Sequence, residues 1–291
     1  MIPLRAFLVI AALASFAPSR ARAAETQAPA PAAYVKDPHF WPTPMMDTQA
    51  PALPQFTRDH AVLIFSKTNG FRHESIAASN TALAELVQAK GWDSYTTENA
   101  AVFNTRDLAR FKVIVLNSAS GDLFLPPQRA AFRQWLEQGG GLLALHGAGG
   151  DNSYAWDWYG DTVLGALFIG HPAHPRQFQQ AMVHIEDRRH PTMQGLPDQW
   201  QREDEWYAFD RVPTGHGTRI LATLDESTFD PPQEQRMGRH PIIWTRCVEK
   251  GRVFFSALGH QDQAWAEPLH RQMLGNALEW TAGANDEGCR P

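Results

Sequence analysis

Only two cysteines occur in the 291 residues, Cys247 and Cys289. Neither belongs to a Cys-x-x-Cys pair, so a cysteine-rich zinc site is excluded. Beyond the first 23 residues no apolar run reaches the roughly 18 residues a membrane-spanning helix needs. There is no basic block either. The net charge is −5 with both signs interspersed, which argues against nucleic acid as a partner. No Gly-x-Ser-x-Gly pentapeptide is present, so the strained serine elbow of an α/β-hydrolase esterase is not expected. No internal repeat is visible, and no nucleotide cofactor is expected.

What is present begins with a leader. Arg5 gives a positive start, Ala6 to Ala17 an apolar stretch, and Ala21-Arg22-Ala23 a small-x-small cleavage site. Residues 1–23 therefore read as a signal peptide cleaved near Ala23, an uncleaved anchor being the alternative. Export is expected, most simply to a periplasm, with no stable membrane insertion after cleavage. Residues 24–57 are rich in Ala and Pro, which favours extended, flexible chain; Trp41, Met45 and Met46 are the residues able to anchor part of it. Residues 58–284 are expected as one domain and 285–291 as a tail. In an exported chain Cys247 and Cys289 are free to pair or to stay as thiols.

The domain alternates buried strand and amphipathic helix. Ala61 to Ser66, Val113 to Leu116 and Leu142 to Leu145 are continuous apolar runs, the mark of strands covered on both faces. Ile76 to Lys90 has helical spacing and stops at Gly91, and Pro126-Pro127 opens a helix closed by Gly139 to Gly141. Ser94 to Thr97 reads as a short strand. The pattern predicts an α/β fold, with a mainly parallel sheet and helices on both faces. The second half is expected to add short strands at Gln179–Glu186, Tyr207–Phe209, Ile220–Leu224, Ile242–Cys247 and Val253–Ala257. Helices are expected at Trp156–Leu167 and Ala264–Trp280.

Chemistry in such sheets gathers at the carboxyl ends of strands, and histidines stand there. His146 follows the strand in Gly141-Leu142-Leu143-Ala144-Leu145-His146-Gly147, where an elbow would otherwise place Ser or Cys. His73 lies in Phe71-Arg72-His73-Glu74-Ser75 after the first strand, on a turn leading into a helix that Ser75 is able to cap; His73 serves a site there, or else His73 or Glu74 caps the helix. His260 follows Leu258-Gly259. His171 and His174 each precede a proline, which forces extended backbone rather than a helical His-x-x-x-His zinc pair. Of the carboxylates in Glu203-Asp204-Glu205-Trp206-Tyr207, Glu205 is the one expected to be partly buried and functional. Neutral imidazoles with one carboxylate suit a divalent metal such as zinc or a proton shuttle. His73, His146 and His260 are thus candidate ligands, and His73, His146 and Glu205 candidate catalytic groups. His171, Trp156, Trp206 and Tyr207 are candidate substrate contacts, because aromatic faces suit the apolar face of a sugar ring. His184, His190, His216, His240 and His270 read as structural or exposed.

Taken together, these motifs, with Gly170-His171-Pro172, His190-Pro191 and Gly251-Arg252-Val253-Phe254-Phe255, resemble the trehalose-utilisation (ThuA-like) family over about residues 60–283. The resemblance implies the flavodoxin-like three-layer α/β fold of the class I glutamine amidotransferase-like group, with a mainly parallel central sheet and helices on both faces. It also implies a role in use of disaccharides or their keto derivatives, with a small-molecule carbohydrate as partner. Amidotransferases of that group carry a cysteine nucleophile at the elbow. Here His146 stands in its place, so glutamine hydrolysis by a thiolate is not expected. Two functions follow as expectations: a sugar-modifying enzyme using the histidine-rich site, or a non-catalytic carbohydrate-binding protein of the same fold.

Overall fold

The computed structural model describes residues 36–150, 156–283 and Cys289. The expected signal peptide and most of the expected tail lie outside the described residues. In chain order the strands are β1 Ala61–Phe65, β2 Asp93–Thr97, β3 Val113–Asn117, β4 Gly141–Leu145, β5 Phe168–Gly170, β6 Phe178–Ile185, β7 Gln199–Glu205, β8 Ala208–Phe209, β9 Arg219–Leu224, β10 His240–Val248 and β11 Gly251–Ser256. The α-helices are α1 Ile76–Ala89, α2 Thr105–Leu108, α3 Pro126–Glu137 and α4 Pro268–Ala282.

Nine strands form one sheet in the order β2-β1-β3-β4-β11-β10-β9-β6-β7. From β2 to β11 every pairing is parallel. From β11 to β7 every pairing is antiparallel. β1, β3 and β4 are buried at every residue, as expected of strands covered by helices on both faces. The second half departs from the parallel pattern because β10 and β11 are joined by a tight turn through Glu249, φ +52°, which only antiparallel neighbours permit. The alternation of directions makes β7 run the same way as β4. Its end at Glu205 therefore lies at the same edge of the sheet as the ends of β1, β3, β4 and β11.

Several local expectations shift. The helix expected over Trp156–Leu167 is a single π-helical stretch, Trp158–Leu164, ended by Gly165 at φ +81°. The acidic stretch expected before a strand is itself strand β7, in which Trp200, Arg202 and Asp204 face inward and Gln199, Gln201 and Glu203 outward. The flexible stretch expected to residue 57 is, from Lys36 onward, a strap along the domain. Its backbone is held by side chains: Asn69 accepts from the Met45 amide at 3.0 Å and donates to the Met45 carbonyl at 3.0 Å. Asp93 accepts from the amides of Thr57 and Arg58. Asp47 pairs with the buried Lys67 at 2.8 Å. Cys247 and Cys289 form a disulfide.

Candidate functional site

Register brings the site together. Asn117 on β3 and Ser256 on β11 both pair with Leu145 on β4, so the residues that follow each strand emerge at one level. His146 is the first of these and has φ +46°. A non-glycine residue in that left-handed region is strained and costs about 1–3 kcal/mol. The turn carries the imidazole over the strand end and is followed by Gly147. A Cβ on Gly147 would lie 2.9 Å from Cε1 of His73 and 3.2 Å from Cα of Ser118. Only glycine lets the His73 ring lie that close.

His146 is fully buried. Its Nδ1 is 2.7 Å from the Ala257 carbonyl. Since a carbonyl only accepts, Nδ1 carries the proton and Nε2 keeps its lone pair. That Nε2 faces His260 Nδ1 at 3.2 Å, the Tyr207 hydroxyl at 3.1 Å and Glu205 Oε2 at 3.6 Å. His73 stands edge-on to both other rings, with centroids 4.5 Å from His146 and 4.8 Å from His260. Its Nδ1 is buried with no hydrogen-bond partner among the described residues. Ser75 does not cap α1; its hydroxyl instead donates to the Gly259 carbonyl at 3.2 Å, tying the start of that helix to the His260 loop.

Glu205 lies at the centre. Oε2 is 3.0 Å from His260 Nδ1, while Oε1 is 3.3 Å from His171 Nε2 and accepts from Gln177 Nε2 at 2.6 Å. Burial alone would raise its pKa. Its hydrogen bond to His260, and the electrostatic pull of the neighbouring His260, His146 and His171 rings, hold it at about 2 instead. Burial, with His260 nearby, lowers the His146 pKa to about 4. Burial also sets His73 well below the usual histidine value. At neutral pH the cluster holds neutral His73 and His146 beside an ionised Glu205.

This is the protonation state that a divalent cation requires of its ligands. One ligand atom from each of His73, His146, Glu205 and His260 lies within 4.8 Å of all the others. Four ligands about 2.1 Å from a tetrahedral zinc stand about 3.4 Å apart, so the donor set fits after small ring movements.

The sequence-expected residues divide clearly. His73, His146, Glu205, His260, His171 and Tyr207 converge; Tyr207 stacks on His146 with centroids 4.6 Å apart. Trp206 does not join them: it is buried, donates to the Gln179 carbonyl at 2.8 Å and packs near Phe229. Alternation along the chain sends it to the opposite side from Glu205 and Tyr207. Trp156 also stands apart, against Trp158 and Phe132, where it lines a small apolar cavity with Phe124, Ala148 and Tyr159. His174 is exposed, and His184, His190, His216, His240 and His270 lie outside the cluster. Sequence reasoning missed Gln177 and Asp204. The inward alternation Trp200-x-Arg202-x-Asp204 was the available signal for the second; nothing marked Gln177.

Fold and site together define an α/β protein of flavodoxin-like architecture whose elbow bears histidine and whose strand ends gather imidazoles around one carboxylate. The chain matches the family described as ThuA, trehalose utilisation, over residues 61–281, and it belongs to that family. It is similar to the solved structure of a ThuA-like protein from Bacteroides uniformis, at 20% identity and TM-score 0.67, covering 83% of this chain and 98% of that one. A ThuA-like protein from Parabacteroides merdae is similar at 19% identity and TM-score 0.62, covering 78% of this chain and 91% of that one. At these identities the two likenesses show a shared fold. No curated protein matches the chain.

Proposed function

We propose that this protein is an exported enzyme of carbohydrate utilisation that acts on a disaccharide or keto-sugar with a divalent metal held by His73, His146, Glu205 and His260. The observation that carries the reading is the convergence of those four ligand atoms within 4.8 Å at a buried strand edge. A cation there supplies polarisation of a sugar carbonyl or hydroxyl. The family's description supports carbohydrate as the substrate class. Support for export comes from the leader-like start of the sequence and from the Cys247–Cys289 disulfide, which suits an oxidising compartment.

The chain's own groups then divide the work. Oε2 of Glu205 faces the imidazoles, and Oε1 faces His171 and Gln177. His171, with about a third of its side chain exposed, is the group of the cluster most open to solvent. It meets the substrate, and with Oε1 of Glu205 behind it, it moves the proton. In this reading the Tyr207 hydroxyl, 3.1 Å from His146 Nε2, bonds a substrate oxygen. The supported reaction class is removal of a proton next to a sugar carbonyl, the step shared by isomerisation and elimination of a keto-glycoside.

The test is turnover of 3-keto-disaccharides by the purified protein, with and without chelator, beside His146→Ala and His171→Ala. Loss of turnover with chelator and in both variants supports the reading. Sugar binding without turnover, indifferent to chelator, would establish a carbohydrate-binding protein instead.

A further inference from the structure

Asp204 is 1% exposed and ends the inward row of β7. Its two oxygens collect four donors. Oδ1 accepts from the Glu205 amide at 2.9 Å and from the His260 amide at 3.2 Å. Oδ2 accepts from the Gly259 amide at 2.9 Å and from Arg202 Nη2 at 2.9 Å. Three of the four are main-chain groups, drawn from two segments 54 or more residues apart that each deliver a group to the cluster.

Gly259 makes this possible. At φ +116° it turns the chain so that two successive amides, its own and that of His260, face the same carboxylate; such paired amides form an anion-holding concavity. A Cβ there would lie 2.8 Å from the Trp265 ring. The Gly259 carbonyl is held independently, by Trp265 Nε1 at 3.0 Å and Ser75 Oγ at 3.2 Å. The loop's other contacts therefore persist without Asp204, and what the carboxylate adds is the link to β7.

We propose that Asp204 is the positioning residue of this site: by gathering the amides of Glu205, Gly259 and His260 it sets the separation of the Glu205 carboxylate from the His260 ring. It touches no substrate and acts through the two groups it aligns. A carboxylate is required because three amides and a guanidinium need acceptors on both oxygens, whereas an asparagine offers one. Partners of this kind behind a ligand set alter metal affinity by about 10–100-fold.

The proposal rests on the metal reading of the cluster only for its first measurement, which is zinc binding by calorimetry. The second is hydrogen exchange at the amides of Glu205, Gly259 and His260. Both are made on the wild-type protein, Asp204→Asn and Arg202→Met. Asp204→Asn is expected to bind zinc about tenfold or more weakly and to exchange those three amides about tenfold faster, with β1, β3 and β4 as protected as before. Arg202→Met keeps the carboxylate. It is expected to lose thermal stability while keeping zinc affinity within about threefold, which separates positioning from a general structural role. Should Asp204→Asn not fold, Asp204→Ser, with room for a water at the freed amides, takes its place. If the wild type binds zinc and the Asp204 variant matches it within about threefold, or Arg202→Met loses zinc as Asp204→Asn does, the proposal is overturned. If the wild type binds no zinc, the metal reading fails and exchange alone decides: faster exchange at the three amides upholds the clamp, and unchanged exchange overturns it.

Discussion

His146 and Ala257 are joined by a 2.7 Å hydrogen bond from ring Nδ1 to the backbone carbonyl, and this one contact fixes which nitrogen of the central histidine faces the site. The ring cannot turn over without leaving a buried carbonyl unpaired, at a cost of about 1–3 kcal/mol. His146→Gln removes the fixed lone pair but keeps a polar side chain. It is expected to stay folded and to lose zinc binding by about tenfold or more, read by calorimetry beside a thermal melt.

Gly147→Ala tests the close approach of His73 to the elbow. The added methyl meets the His73 ring at 2.9 Å and Ser118 at 3.2 Å. Overpacking of this kind costs about 1–3 kcal/mol. The variant is expected to melt lower and to bind zinc more weakly, because His73 is the group that must move. Unchanged affinity would remove His73 from the ligand set.

The pH dependence of stability follows from the buried histidines. The His146 pKa is lowered from 6.5 to about 4 by burial. Between those values the unfolded chain binds a proton that the folded chain refuses, so stability falls as pH falls through that window and is level above it. At about 1.4 kcal/mol per pH unit, His146 alone contributes roughly 3 kcal/mol of this loss. His190, lowered to about 4, and His270, lowered to about 3, act in the same direction. Glu205, lowered from 4.5 to about 2, adds its own loss below pH 4.5. Denaturant titrations of the metal-free protein should show level stability above about pH 7 and a decline beginning near pH 6.5. A stability maximum at pH 5 would contradict this assignment.

The fold was legible where burial is complete. β1, β3 and β4 are apolar at nearly every position, and runs this short, set between turn signals, fit strands covered on both faces. β7 was not legible, because its inward row carries Arg202 and Asp204, charges that only a partner supplied by the fold makes tolerable inside. The central histidines were readable from their places after strands. Glu205, the carboxylate expected to be partly buried, is buried among the imidazoles, but Asp204 was passed over, since its partners are mainly backbone amides that no sequence pattern displays. Trp156 and Trp206 looked available for sugar stacking only because their packing partners, Phe132 and Phe229, are remote in sequence.

The disulfide closes a separation of 42 residues. Loop-closure entropy for that length gives about 4 kcal/mol, with measured values commonly between about 2 and 4. Cys247→Ser, or reduction of the wild type, should lower the unfolding free energy by that amount in urea. Intact-mass thiol counting should find no free thiol before reduction and two after.

The metal content of the purified protein, by elemental analysis with His146→Ala beside it, tests the central claim most directly. The account predicts close to one zinc or similar divalent ion per chain in the wild type and about a tenth of that or less in the variant. A wild type that contains no metal after growth in zinc-sufficient medium and fails to take up added zinc would contradict it.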